Sequence, residues 1–314
     1  MKDSINMIAE QIAGDFLQEK VKQSYQILGK GIVNQVIVAE TEYRKVVVRM
    51  NDANTYSDFI KEKWCIEQAI AAGIPSPLVL SIGIADETAY MIQTFVEGEN
   101  GLDSTKPKTY IWRQLGVYAK MIHSIPVKGY GENLMDPLHG VFQSPPHPGS
   151  DGSWLGYVNH NINSLTESDR LIELGVMNDT ESKRIKELFE ELKKEKFRFA
   201  LNHGDLSLKN TIVTNEGQVV LLDWGSAEVH VVPHADINYL INLQILDMGP
   251  TMEEMNAFLD GYGLTEEDLA SMRPMLLLRA FDKLRWAIDR SPDHIEPFTK
   301  YAKQVVEMTL GSLQ

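Results

Sequence analysis

Between residues 203 and 225 an aspartate, an asparagine and a second aspartate surround a strand–turn–strand pattern, and this stretch limits the possible folds most tightly. His203-Gly204-Asp205-Leu206-Ser207-Leu208-Lys209-Asn210 runs into Thr211-Ile212-Val213. Asn215-Glu216-Gly217 then turns the chain, and Val219-Val220-Leu221-Leu222 returns it to Asp223-Trp224-Gly225. Two β-branched runs around an Asn/Gly turn read as a hairpin. Because hairpin strands are neighbours, Asn210 and Asp223 can converge at its open end, where oxygen ligands suit magnesium. Asp205, five positions before Asn210, is then free to accept a proton from a hydroxyl near that ion. Phosphoryl transfer requires this layout, since positioning and charge neutralisation do most of its catalysis.

Upstream, strand and helix signals alternate. Residues 25–38 and 43–50 are β-branched runs joined by Glu-Thr-Glu. Phe59, Ile66, Ala69 and Ile70 predict a helix over about 57–72, stopped by Gly73. Short strands follow near 78–84 and 88–95, ending at Gly98. This describes a small antiparallel sheet carrying one helix. After residue 100 helical periodicity dominates, at about 107–123, at 181–196 and through 234–312. Five of the thirteen prolines fall between 126 and 148, so 124–153 reads as an irregular surface excursion. The class is α+β, divided into 1–98 and 99–314.

Composition narrows the partners. Among 314 residues, 43% are apolar, enough for a self-sufficient core. The longest aliphatic run, Val219–Leu222, is far short of the roughly 18 residues that span a bilayer. The first 25 residues interleave Asp3, Glu10, Asp15 and Glu19 with Ile5, Ile8, Ile12 and Phe16, the pattern of an amphipathic helix rather than a signal peptide. The single cysteine, Cys65, can form no internal disulfide, so a cytoplasmic setting is expected. A net charge of −14 works against nucleic acid and anionic membranes as partners, and a monomer is expected. Half of that excess lies between 228 and 293.

The pattern His-Gly-Asp-x-x-x-x-Asn with a downstream Asp-x-Gly resembles that of the aminoglycoside phosphotransferase and choline kinase-like enzymes, relatives of the protein kinases. Protein kinases usually carry arginine where Gly204 stands, and no Ala-Pro-Glu segment follows Asp223. The resemblance implies a two-lobed, protein kinase-like fold, with an antiparallel-sheet lobe over 1–98 for nucleotide and a mainly helical lobe over 99–314 for catalysis and substrate. It implies Asp205 as catalytic base and Asn210 and Asp223 as magnesium ligands. Leu28-Gly29-Lys30-Gly31-Ile32-Val33-Asn34 takes the place of the phosphate-covering loop, with Asn34 where a third glycine would be. Arg49 replaces the phosphate-contacting lysine, with a permanent charge and a bidentate fork. Glu62 corresponds to the glutamate that orients that cation. Gln93 to Phe95 correspond to the hinge whose backbone holds adenine, and Val36, Val48, Ile212 and Leu222 to residues that sandwich the base. His203 corresponds to a residue that orders the catalytic loop, and Asp236 to one that braces it.

Val48-Arg49-Met50-Asn51, Asp58 to Lys63, Ile74 to Gly83, Gly129-Tyr130-Gly131 and Trp154 are similar to the hygromycin B phosphotransferase branch. The cofactors implied are ATP or GTP and magnesium. The acidic 228–293 region lies where these relatives bind the acceptor, so Glu228, Asp282, Asp289 and the stacking surface Trp286 are candidates to hold a cationic amino-sugar. Asp282, Trp286 and Asp289 share one helix face. The expected substrate is a small cationic or neutral hydroxyl compound, as in antibiotic resistance. A metabolic kinase of the choline, sugar or homoserine type and a non-catalytic nucleotide-binding relative are the alternatives. Pro233 between His230 and His234 disfavours the continuous helix that would pair them on zinc.

Overall fold

The computed structural model describes residues 2–27, 35–146 and 149–311. Its contacts divide into two compact units, Met1–Ile111 with Ser207–Ala227, and Trp112–Leu206 with Glu228–Gln314. The first thus runs past residue 98 and takes in the 211–221 hairpin.

The first unit is built on a five-stranded antiparallel sheet, Gln23–Gln26, Gln35–Glu40, Lys45–Asp52, Thr88–Thr94 and Val79–Ala85 in that spatial order. Ile37, Val38 and Ala39 are all buried, which requires cover on both sheet faces. The helix Lys2–Leu17 supplies one cover, its Ala9, Ile12, Ala13 and Leu17 packing with Ile37, Ala39, Val46, Val48, Met50 and Ile92. The first residues are thus an amphipathic helix, as their periodicity predicts. Thr41 closes the Glu-Thr-Glu turn by accepting from the backbone of Tyr43 and Arg44. Tyr56–Ala71 is the helix expected over 57–72, with Phe59, Cys65, Ile66 and Ala69 buried. Glu99–Asn100 pairs with Thr211–Val213, which pairs with Val219–Leu221, so the expected hairpin gains a third strand.

The second unit is mainly helical. Its core gathers Val158 and Ile162, Ile185 and Phe189, Leu277, Phe281 and Leu284, and Tyr301 and Val305 from four helices, Trp154–Ser164, Asp179–Leu192, Arg273–Arg290 and Ile295–Leu310. Side-chain caps start the first two, Ser153 accepting from Gly156 and Asn178 forming a capping box with Glu181. Pro274 opens the helix Arg273–Arg290 rather than interrupting one.

The 124–153 stretch is not an irregular excursion. Lys128–Tyr130 runs parallel to Val141–Gln143, which pairs antiparallel with Asn133–Asp136. Gly129 lies at φ 90°, and a Cβ there would stand 1.9 Å from the Phe142 carbonyl oxygen, so only glycine lets these strands approach.

Candidate functional site

The chain crosses from one unit to the other between Leu206 and Ser207, so Asp205 belongs to the second unit and Asn210 and Asp223 to the first.

In the first unit the strand Lys45–Asp52 carries Arg49 inward, 6% exposed. Its Nη1 donates to Glu62 Oε1, from the helix Tyr56–Ala71, and its Nη2 to Asp223 Oδ1 at 3.1 Å. Burial works against the guanidinium's charge, but Glu62 and Asp223 outweigh it and raise its pKa further. Glu62 Oε1 also accepts from the Trp224 backbone N–H at 3.2 Å. One turn-facing neighbour, Lys61, donates to the Gly225 carbonyl at 2.9 Å. Two consecutive helix side chains therefore fix the segment 223–225 in place. Asp223 has φ 56°, a left-handed conformation that few non-glycine residues adopt. Such strain is held only where the surroundings over-determine it, as these contacts do here.

Asn210 closes a turn of 3-10 helix over Leu208–Asn210 and is 3% exposed. The Leu222 N–H donates to the Asn210 carbonyl at 2.9 Å, so the chain positions of Asn210 and Asp223 meet at the open end of the hairpin. An amide oxygen and a carboxylate are the hard ligands magnesium prefers, and it commonly takes only one or two protein carboxylates beside phosphate oxygens and water. The donor set fits that ion.

The Thr88–Thr94 strand carries Gln93, 7% exposed and paired with Val47 and Val79 on either side. Phe95 is the first residue beyond the ladder, with the Lys45 ammonium 5.5 Å from its ring centre. Gly29, Gly31 and Asn34 lie outside the described residues. Cys65 is fully buried, which pushes its thiol up to about 12 and leaves it inert packing.

In the second unit the strand Phe199–Asn202 pairs with Glu228–Val231 and delivers His203-Gly204-Asp205 at its end. Asp236, fully buried at the start of the helix His234–Ile245, accepts from the backbone N–H of His203 at 3.2 Å and of Gly204 at 2.8 Å. His123 Nε2 donates to the same carboxylate at 3.1 Å, and His123 Nδ1 takes the Tyr262 hydroxyl at 2.8 Å. Burial pushes the Asp236 carboxyl upward, but these donors win and hold it below its ordinary value. Asp236 thus braces the loop, as the resemblance implied, and His203 and His123 are buried within it.

Asp205 is half-buried, and its Oδ1 accepts from the Tyr239 hydroxyl, one helical turn past Asp236. Burial, together with the Asp205 charge, holds the Tyr239 phenol protonated far above its ordinary range. Sequence reasoning passed over Tyr239. Its spacing of three from Asp236 on one helix was the available signal.

Of the acceptor candidates, the structure brings Glu228 and Asp282 together, but around a cation. Arg279 Nη1 lies 3.5 Å from Glu228 Oε1. Burial opposes its charge, while Glu228, Tyr157 and Asp282 among its neighbours sustain it. Asp282 is solvent-open yet walled by protein, and burial raises its carboxyl against the pull of Arg279, Arg285 and His160. Trp286, 47% exposed, packs instead near His294, with ring centres 6.3 Å apart. Asp289 is exposed in the last turn of the same helix. Neither shares a hydrogen bond, ion pair or ring contact with Glu228, Arg279 or Asp282. His230 and His234 are separated by Pro233, with His234 opening the helix. Burial holds both below the usual histidine value, His234 at about 4.

No described helix is long and apolar enough to cross a membrane. No curated protein matches the sequence. Solved structures do match the fold. A thermostable mutant of aminoglycoside phosphotransferase APH(4)-Ia, in ternary complex with AMP-PNP and hygromycin B, is 19% identical, with 96% of this chain and 99% of that chain covered and a TM-score of 0.67. Spectinomycin phosphotransferase APH(9)-Ia, in complex with ADP and spectinomycin, is 16% identical over 96% of this chain and 98% of that one, with a TM-score of 0.56. A putative fructosamine-3-kinase from Haemophilus somnus 129PT is 14% identical over 96% of each chain, with a TM-score of 0.61. The sequence model of the phosphotransferase enzyme family covers residues 24–275. With an antiparallel-sheet N-terminal region, a helical C-terminal part and that match, the chain belongs to the phosphotransferase enzyme family and has the α+β kinase-like fold of the aminoglycoside phosphotransferases.

Proposed function

We propose that the protein is a magnesium-dependent kinase that transfers the γ-phosphoryl group of ATP or GTP to a hydroxyl of a small molecule. The observation that carries this reading is Arg49, buried and clasped by Glu62 and by Asp223, whose segment meets Asn210. A buried arginine with a solvent-reaching carboxylate partner can exchange that partner for phosphate oxygens. In this reading residues 1–98 form the nucleotide lobe and 99–314 the catalytic and substrate lobe. Arg49 holds phosphates, Glu62 aims Arg49, and Gly29, Gly31 and Asn34 belong to the loop that covers the nucleotide. Gln93 and Phe95 flank the adenine. Asn210 and Asp223 would hold magnesium, which neutralises charge on the phosphate oxygens. Asp205, oriented by the Tyr239 hydroxyl, takes the proton of the acceptor hydroxyl.

For the acceptor, the structures named for hygromycin B and spectinomycin favour an amino-sugar and a role in resistance, with Glu228, Asp282, Trp286 and Asp289 as its contacts. The metabolic alternative is favoured by Arg279, which stands against both Glu228 and Asp282 where an ammonium would bind. A cytoplasmic monomer with no nucleic-acid or membrane partner completes the proposal.

The test is release of ADP or GDP, with and without magnesium, against hygromycin B, spectinomycin, choline, homoserine and simple sugars. Asp205→Ala should lower acceptor-stimulated turnover by about 10²-fold or more while nucleotide affinity stays put. Nucleotide binding without turnover on any acceptor, indifferent to Asp205→Ala, would establish the non-catalytic reading instead.

A further inference from the structure

Arg279 and Lys283 stand at i and i+4 on the helix Arg273–Arg290, so they share a face of the second unit. Arg279 has one carboxylate at ion-pair distance, Glu228, and Lys283 lies against rings rather than a carboxylate. A guanidinium presents five donors. Here Arg279 makes one long contact of 3.5 Å, to Glu228, and its Nε is buried with no hydrogen-bond partner. Buried donors are almost always paired, so this guanidinium is under-satisfied although 26% of its side chain still reaches solvent. The Lys283 ammonium lies over two rings, 5.8 Å from the centre of Tyr239 and 5.6 Å from that of Phe298, with no carboxylate at ion-pair distance. Burial, with the Arg279 charge beside it, draws this amine down to about 8 against the longer-range pull of Asp205 and Asp282.

Tyr239 ties this pair to the proposed chemistry, because the ring beneath Lys283 is the one whose hydroxyl donates to Asp205. We propose that Arg279 and Lys283 form an oxyanion subsite for the acceptor, so that the hydroxyl offered to Asp205 belongs to a molecule that also carries a carboxylate or a phosphate. This rests on the kinase reading above and selects among its acceptors. A polycation here would meet two cations beside Glu228 and Asp282. An acceptor with both an oxyanion and an ammonium would complement all four side chains.

The experiment uses the full chain loaded with magnesium and AMP-PNP, so that the place of the γ-phosphate is already filled. Malonate, methyl phosphate and glucosamine are titrated separately by calorimetry, into the wild type and into Arg279→Gln and Lys283→Met. At least one oxyanion probe is expected to bind with Kd on the order of 10 mM, the range such small ligands reach, and to weaken about tenfold in each variant. Whether malonate or methyl phosphate binds names the carboxylate or the phosphate as the group recognised. Lys283→Met keeps the aromatic packing, so it decides the matter should Arg279→Gln fail to fold. The proposal is overturned if neither oxyanion binds, if binding is unchanged in Lys283→Met, if glucosamine binds and the oxyanions do not, or if Lys283→Met weakens AMP-PNP alone. Failure of AMP-PNP to bind the wild type sinks the kinase reading instead, and the same titrations on the nucleotide-free protein still decide the subsite.

Discussion

Arg49 and Asp236 are both ions held away from water, each by partners drawn from elsewhere in its own unit, but the first holds with room to exchange and the second does not. Around Arg49 the Glu62 carboxylate is buried, whereas the Asp223 side chain is 41% exposed. Around Asp236 both oxygens are taken, by two backbone N–H groups and by His123, all buried or nearly so. An ion whose partner reaches solvent can trade that partner for ligand. One whose donors are all internal can only hold a loop. The proposed roles, binding for Arg49 and architecture for Asp236, rest on that difference, although composition and burial alone would class them together.

The largest effect that tests this division is on Asp236. Asp236→Ala leaves two loop N–H groups and a buried histidine without their acceptor, and removing one member of such a cluster costs about 3–5 kcal/mol. Urea denaturation should show that loss as a lower midpoint at unchanged slope. A stable variant that has merely lost activity would break the comparison, because Asp236 would then act in the reaction rather than under it. Its pH dependence carries a sign as well. The carboxyl is depressed in the fold, so its contribution is complete well above the unfolded value of about 3.9 and is lost as pH falls through the folded value. Asp236→Asn should therefore lose less stability between pH 5 and the acid limit than the wild type does, measured by thermal melts across that range.

Glu62→Gln comes next. The glutamine keeps an oxygen for the Trp224 N–H, and Arg49 keeps Asp223, so the fold survives with a loss of about 1.5–3 kcal/mol for the missing charged hydrogen bond. A further change is expected in nucleotide binding, with Kd for the magnesium nucleotide raised roughly tenfold by a misaimed Arg49. Equal affinity for nucleotide in Glu62→Gln would place the pair with Asp236, as architecture.

What the sequence disclosed follows the same line. The hairpin, and the meeting of Asn210 with the Asp223 segment at its open end, were legible because β-branched runs around an Asn/Gly turn pair locally. Arg49 and Glu62 were legible because their order along a strand and the next helix is constrained, although neither is distinctive alone. Lys61, Tyr239, Arg279 and Lys283 were not. Each acts through a helix face turned toward a segment 30 or more positions away in sequence, and local patterning does not record such pairings. The acidic bias of 228–293 left Arg279 out of view for a related reason. Net charge counts residues without their partners, and Glu228 and Asp282 have theirs in Arg279, from the same stretch. The small sheet over 128–143 was hidden because its strands are three or four residues long and one pair is parallel, so no alternating pattern has room to develop.

The smallest effect is expected at Tyr239, and it sharpens the distinction between holding and reacting. Its hydroxyl donates to Oδ1 of Asp205 and so orients the carboxylate. Tyr239→Phe removes that hydrogen bond without changing the ring beneath Lys283, at a cost of about 1 kcal/mol in orientation, or several-fold in kcat. Affinity for nucleotide should be unchanged, since Tyr239 belongs to the second unit and Arg49, Glu62 and Asp223 to the first. Steady-state kinetics with acceptor and nucleotide varied in turn separates the two. A lower kcat with the nucleotide KM intact makes Tyr239 a positioning residue for Asp205. A loss of stability with kcat intact puts the phenol in the same class as His123, a donor that holds the loop and takes no part in the transfer.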